Sequence, residues 1–139
     1  MTGSRPQLKA VDGGLLKSPP MPAHLPSSMR DDWRTTASDL VGRGLLNQAS
    51  IPMLETYVGA LWMARECRKA IEKHGVLIKA EKGQPKPNPA AAMLAKAQET
   101  IARLGDDLGI SPVSRSRPGI KAQTRQHDEK DDPFGDFDL

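Results

Sequence analysis

Two stretches of this chain, Ser50 to Gly75 and Asn88 to Gly109, carry the start and stop signals of long helices at both ends, and that punctuation leaves few folds open. In the later stretch Asn88 can accept from the N–H groups that a first helical turn leaves unpaired, and Pro89 sits where a missing N–H is no loss. Gly109 supplies the left-handed residue that stops the helix. The earlier stretch opens on Ser50 with Pro52 in its first turn and runs to Gly75, roughly 36 Å at the α-helical rise. Leu54, Tyr57, Leu61, Ala64, Cys67 and Ile71 recur along it at spacings of three or four, and Val58 and Trp62 widen that apolar face. Met93, Leu94, Ala97, Ile101, Leu104 and Leu108 line one side of the later helix, whose alanine-rich start permits close packing.

A further helix precedes these two. Ser27 or Ser28 reads as its cap, Asp31 and Asp32 fall in the first turn where the helix dipole favours acids, and Gly42 and Gly44 end it. Met29, Trp33, Ala37, Leu40 and Val41 form its apolar stripe. Between the long helices, Val76-Leu77-Ile78 is a short β-prone run, Glu81 to Gln84 reads as a turn and Pro85 to Pro87 as extended chain, a pattern compatible with a small hairpin at 76–87. Ser111-Pro112 repeats the cap-then-proline signal, which predicts a short last helix bearing Arg115 and Arg117. The expected fold is mainly α: three main helices plus a short C-terminal one. Residues 1–27, rich in Pro and Gly, are expected to be a flexible N-terminal arm; 28–117 a helical domain; and 118–139 a flexible tail, basic and then acidic.

The core of such a chain is small. About 80 residues are available to build it, and domains of that size bury a limited fraction of their surface. Cys67 is the sole cysteine, which excludes an intramolecular disulfide and a multi-thiolate metal site. His24, His74 and His127 are scattered without metal-ligand spacing, so neither metal nor other cofactor is expected. Self-association is the remaining route to stability, and the broad apolar face of the longest helix agrees with it. The N-terminus lacks an apolar signal region and the longest apolar run, Ala90 to Ala95, is too short to span a bilayer, so a soluble cytoplasmic protein is expected.

No catalytic constellation is legible. There is no phosphate-cradling loop ending in Lys-Ser/Thr, no Gly-x-Ser-x-Gly elbow and no His-Glu-x-x-His pair. Cys67 lies on an apolar stripe and reads as a small buried hydrophobe, and Trp33 and Tyr57 read as core. An enzyme is therefore not expected.

Charge points to binding instead. The net charge of +3 conceals four Lys/Arg and no acid over residues 111–127, and six acids against one lysine over 128–139. On the long helix Arg65, Lys69 and Lys73 are spaced by four, with Arg68 alongside. One reading is a solvated face partly paired with Glu66 and Glu72; the other is a phosphate-tracking ridge continued by Lys79, Lys82 and Lys86. Arg115, Arg117, Lys121 and Arg125 form a second basic run, for which free solvation and polyanion binding both remain open. The two phenylalanines of the chain, Phe134 and Phe137, stand with Leu139 on the acidic tail, where they read as anchors for a basic-rimmed groove.

In order, a Pro-rich arm, Trp33-Arg34, Leu40, Gly44-Leu45-Leu46, Leu54-x-x-Tyr57-x-x-Ala60, Gly75, Asn88-Pro89 and Leu108-Gly109-Ile110-Ser111-Pro112-Val113-Ser114-Arg115-Ser116-Arg117 resemble the small terminase subunits of tailed bacteriophages, over about residues 20–117. The resemblance implies a non-catalytic DNA-packaging component in the host cytoplasm that forms a ring-like homo-oligomer, engages double-stranded viral DNA and regulates the large terminase subunit. The resemblance carries no function to the N-terminal arm or to the loop between Gly75 and Asn88; it is charge and spacing that make Arg65, Arg68, Lys69, Lys73, Lys79, Lys82, Arg115, Arg117, Lys121 and Arg125 candidate DNA contacts, and the acidic aromatic tail that makes Phe134, Phe137 and Leu139 candidate docking residues for the large subunit. The alternatives are a small helix-turn-helix transcriptional regulator, which the length of the second helix fits poorly, and a structural head or scaffold adaptor without DNA binding.

Overall fold

A computed structural model describes residues 13–112. Three helices, α1 (Arg30–Gly42), α2 (Ile51–His74) and α3 (Pro89–Leu108), account for most of them. Single 3-10 turns, Ser27–Met29 and Gln48–Ser50, lead into α1 and α2. The fold is mainly α, and the stretch at 76–87 is a hairpin: β1 (Leu77–Lys79) pairs antiparallel with β2 (Pro85–Pro87), Ile78 opposite Lys86. The short helix expected after Ser111 lies, beyond Pro112, outside the described residues.

Chain punctuation works as expected at α3 and differently at the other helices. The Asn88 side chain accepts from the Ala90 N–H at 2.9 Å, with Pro89 at the first helical position. At the other end Gly109 adopts φ 88°, the Ile110 N–H reaches back to the Gly105 carbonyl and the Gly109 N–H to that of Asp106, which together close a Schellman-type stop. For α2 the cap is displaced: the Ser50 side chain makes no cap bond to α2, and Asn47 and Ser50 cap each other across the preceding 3-10 turn. For α1 neither Ser27 nor Ser28 caps the helix; the 3-10 turn feeds into it through Met29, and Gly42 ends it, with Gly44 turning the chain at φ 70°.

The core sits at one end of the molecule. Met29, Trp33, Ala37 and Leu40 from α1 and its lead-in pack with Leu54 and Val58 of α2, Leu104 and Leu108 of α3, and Leu46 of the α1–α2 connection. Two cross-links fasten this end. Arg65 of α2 holds Asp32 of α1 with both guanidinium nitrogens at 2.8 Å. Arg43, paired with Asp39 at 2.9 Å, also donates to the Gly109 carbonyl and so ties the end of α1 to the end of α3.

Beyond this core α2 and α3 continue alone as an antiparallel pair, touching through small side chains such as Ala64, Cys67 and Ala97. The hairpin closes the far end. Its root is clamped by Asn88, the one buried polar residue of the described chain, whose Nδ2 donates to the Gly75 carbonyl at 2.8 Å while its backbone N–H donates to the Val76 carbonyl at 2.7 Å.

The segment expected to be a free arm differs from expectation over its described part. Leu15 donates its N–H to the Leu46 carbonyl at 2.8 Å, Trp33 Nε1 donates to the Pro19 carbonyl at 2.8 Å, Met21 packs on the core and Leu25 belongs to it. Pro19, Pro20, Pro22 and Pro26 already fix four φ angles, so little backbone entropy is lost in laying the strand down. Three apolar side chains then suffice to hold it. The described residues before Ser27 thus pack on the helical body.

Candidate nucleic-acid interface

The described residues carry thirteen Lys/Arg and ten Asp/Glu. The excess is not spread evenly. Residues 66–88, the last nine residues of α2 and the hairpin, hold six cations (Arg68, Lys69, Lys73, Lys79, Lys82 and Lys86) against Glu66, Glu72 and Glu81. The remaining described residues balance, seven against seven. All the surplus positive charge of the described molecule therefore stands at the end away from the core.

Each of those six side chains is exposed. Lys69 meets Glu66 at 3.1 Å, in a pair whose partners are 73% and 44% exposed, too open to water to neutralise the lysine for a polyanion. Arg68, Lys73, Lys79, Lys82 and Lys86 make no ion pair among the described residues. Lys82 lies in the hairpin turn, just before Gly83 at φ 85°. Because strand side chains alternate and directly opposed residues share a face, Lys79 points to one side of the hairpin and Lys86 to the other. The hairpin thus presents cations on both faces and at its tip.

Arg65 stands apart from its expected companions. Its two hydrogen bonds to Asp32 and its contact with the Met29 sulfur turn it toward α1 and the core, although its spacing matches Lys69 and Lys73. The guanidinium holds the Asp32 carboxyl below the usual carboxylate range and is itself held more firmly protonated by it. Burial, and then the Asp32 charge, push the Tyr57 hydroxyl up. These groups form a structural cluster; a phosphate would have to displace Asp32 to reach Arg65.

Arg115, Arg117, Lys121 and Arg125, and the docking candidates Phe134, Phe137 and Leu139, lie outside the described residues. Their attachment point is nevertheless fixed. Arg115 follows Pro112 by three residues, at most about 10 Å of chain. Pro112 follows the core end of α3, and the 20 residues of that helix separate it from the hairpin by about 30 Å. Within one copy the basic hairpin and the point from which residues 113–125 leave the described chain therefore lie at opposite ends, roughly nine base pairs of B-DNA apart.

Trp33, 2% exposed, is core as expected, and Tyr57 packs against the core beside Gly105, so neither offers a stacking platform for bases. Cys67 is buried. Among the described residues no three His, Cys, Asp or Glu side chains are grouped to hold a metal ion, and no helix is long and apolar enough to cross a membrane.

Compared with known proteins, residues 30–125 match the family model described as phage terminase, small subunit. No curated protein and no solved structure matches the chain.

Proposed function

The chain belongs to the phage terminase small subunit family, and from that premise we propose that it engages double-stranded viral DNA through the basic end of its α2–α3 hairpin and regulates the large terminase subunit without catalysing a reaction itself. A role in phage DNA packaging follows from the family. The observation that carries the finer reading is that, among the described residues, the surplus positive charge is confined to residues 66–88, on exposed side chains. Such contacts supply affinity without sequence readout, which suits a component that must hold DNA and let it move. Arg115, Arg117, Lys121 and Arg125 add a second basic group, and Phe134, Phe137 and Leu139 dock the large subunit.

Few phosphate contacts per copy give weak binding. A homo-oligomer, and a closed ring in particular, multiplies them, because the second and later copies bind at a high effective concentration. In this reading α2, α3 and their hairpin also supply the contacts between copies. Val76 and Leu77, 60% and 61% exposed at the hairpin root, are apolar side chains free for that purpose.

The test is salt-dependent DNA binding by the full chain and by Lys79→Ala/Lys82→Ala/Lys86→Ala. Loss of three phosphate contacts flattens the log–log salt slope by about 2.7 per binding copy. Unchanged affinity and slope would remove the hairpin as the DNA-engaging element.

A further inference from the structure

Alongside the core, the strap at residues 24–26, α2 and α3 enclose an open groove of about 630 Å³. Its floor and walls are apolar: Ala60, Trp62 and Met63 from α2, Met93 and Ala97 from α3, and Leu25 from the strap. Met63 and Met93 are 36% and 48% exposed there, large apolar side chains without cover. Met93, on the apolar side of α3, lines this groove. On the α3 side Lys96 lines the groove beside Thr100. His24 lines the opposite side and lies 3.4 Å from Glu55.

We propose that this groove seats the chain's own C-terminal segment, Phe134 to Leu139. Three observations select that occupant. The groove needs large flat apolar groups that suit methionine sulfur, and Phe134 and Phe137 are the only phenylalanines of the chain. The segment around them, residues 128–139, carries six acids against one lysine, complementary to Lys96, the lysine that lines the groove. It also reaches: Phe134 stands 22 residues beyond Pro112, up to about 75 Å of chain, whereas Met93 lies only about 22 Å along α3 from Leu108. Tethering raises the local concentration of the segment to the millimolar range, so that even a weak intrinsic affinity keeps the groove filled. A partner that takes Phe134 to Leu139 must then first draw it out, and the groove opens when it does. The inference rests on the groove and the tail chemistry, and holds or fails independently of the DNA reading.

Hydroxyl-radical footprinting of the full chain, read by mass spectrometry, tests it. In Phe134→Ala/Phe137→Ala, a change made outside residues 13–112, oxidation of Met63 and Met93 rises about tenfold over the unsubstituted chain, while Met53, which packs against the core, stays constant. Lys96→Glu gives a smaller rise at the same two methionines. Equal oxidation in the two chains overturns the proposal, whether both are high, as in an open groove, or both low, as under a second copy. Light scattering of the same samples completes the test: a rise accompanied by dissociation assigns the cover to a neighbouring copy and overturns the proposal as well.

Discussion

The two ends of this molecule are built on different principles. At the core end three helices and a strap converge, and Met29, Leu40, Leu46, Leu54 and Val58 are wholly shielded from water. At the hairpin end two helices and a three-residue-strand ladder stand alone, and no side chain except Asn88 and a few small ones on the helix–helix seam is buried. One end is organised by the removal of apolar groups from water; the other by backbone capping and by seam residues small enough for two helices to approach. The difference explains where charge can gather. Six exposed cations in 23 residues repel one another, and a thin element surrounded by solvent screens that repulsion better than a packed one.

Truncation of core side chains should separate the ends most sharply. Leu40→Ala or Leu54→Ala is expected to lower the unfolding free energy by about 2–5 kcal/mol in urea melts, while Leu77→Ala in the hairpin should stay within about 0.5 kcal/mol. Similar losses at both sites would mean that the hairpin end is covered in solution. The strap gives the next largest effect. Trp33→Phe keeps the ring buried but leaves the Pro19 carbonyl without its donor, at an expected loss of about 1 kcal/mol, with faster amide exchange over residues 15–25; unaltered exchange there would show that the strap is held by Leu25 and Met21 alone.

The Asp32–Arg65 clamp should be weaker still and pH-dependent. Because Arg65 depresses the folded-state pKa of Asp32, the unfolded chain takes up the proton first as pH falls. The contribution is thus present above the ordinary carboxylate pKa and lost as pH drops through the lowered one. With Arg65 47% exposed, solvent screening keeps it at about 1 kcal/mol or less. Asp32→Asn should therefore be less stable than the unsubstituted chain at pH 7 and indistinguishable from it near pH 2; a gap that persists in acid would assign the loss to packing. Smallest of all, Lys79→Ala/Lys82→Ala/Lys86→Ala should leave thermal unfolding within the error of surface substitutions, so that its effect on DNA is read free of stability.

What could be read from the residues alone follows the range of the forces involved. Asn88-Pro89, Gly109 and the helical stripes act within one or two turns, and α3 and the hairpin stand where they were expected. The displaced cap of α2 shows the limit, because Asn47 and Ser50 both qualify chemically and only the 3-10 turn between them decides. Longer-range choices were hidden. Arg65 and Lys69 look alike on a helical wheel, yet only Arg65 has a carboxylate across from it, on another helix. The strap looked free because Pro and Gly dominate its composition. The signal that could have exposed its packing was Leu15, Met21 and Leu25, set among prolines that already restrict the backbone. The groove depends on how α2, α3 and the strap are spaced and has no local signature.

Asn88 lends the hairpin a mechanical property. One amide bonds the last turn of the descending helix through Gly75 and opens the ascending helix at Ala90, while its backbone N–H bonds the strand root at Val76. A sideways pull on Lys82 at the tip therefore loads both helices in parallel at a single joint, rather than bending one of them, and travels along two struts to the packed end. The hairpin behaves as a stiff bracket, and cutting that one joint, as in Asn88→Ala, would turn the bracket into a hinge.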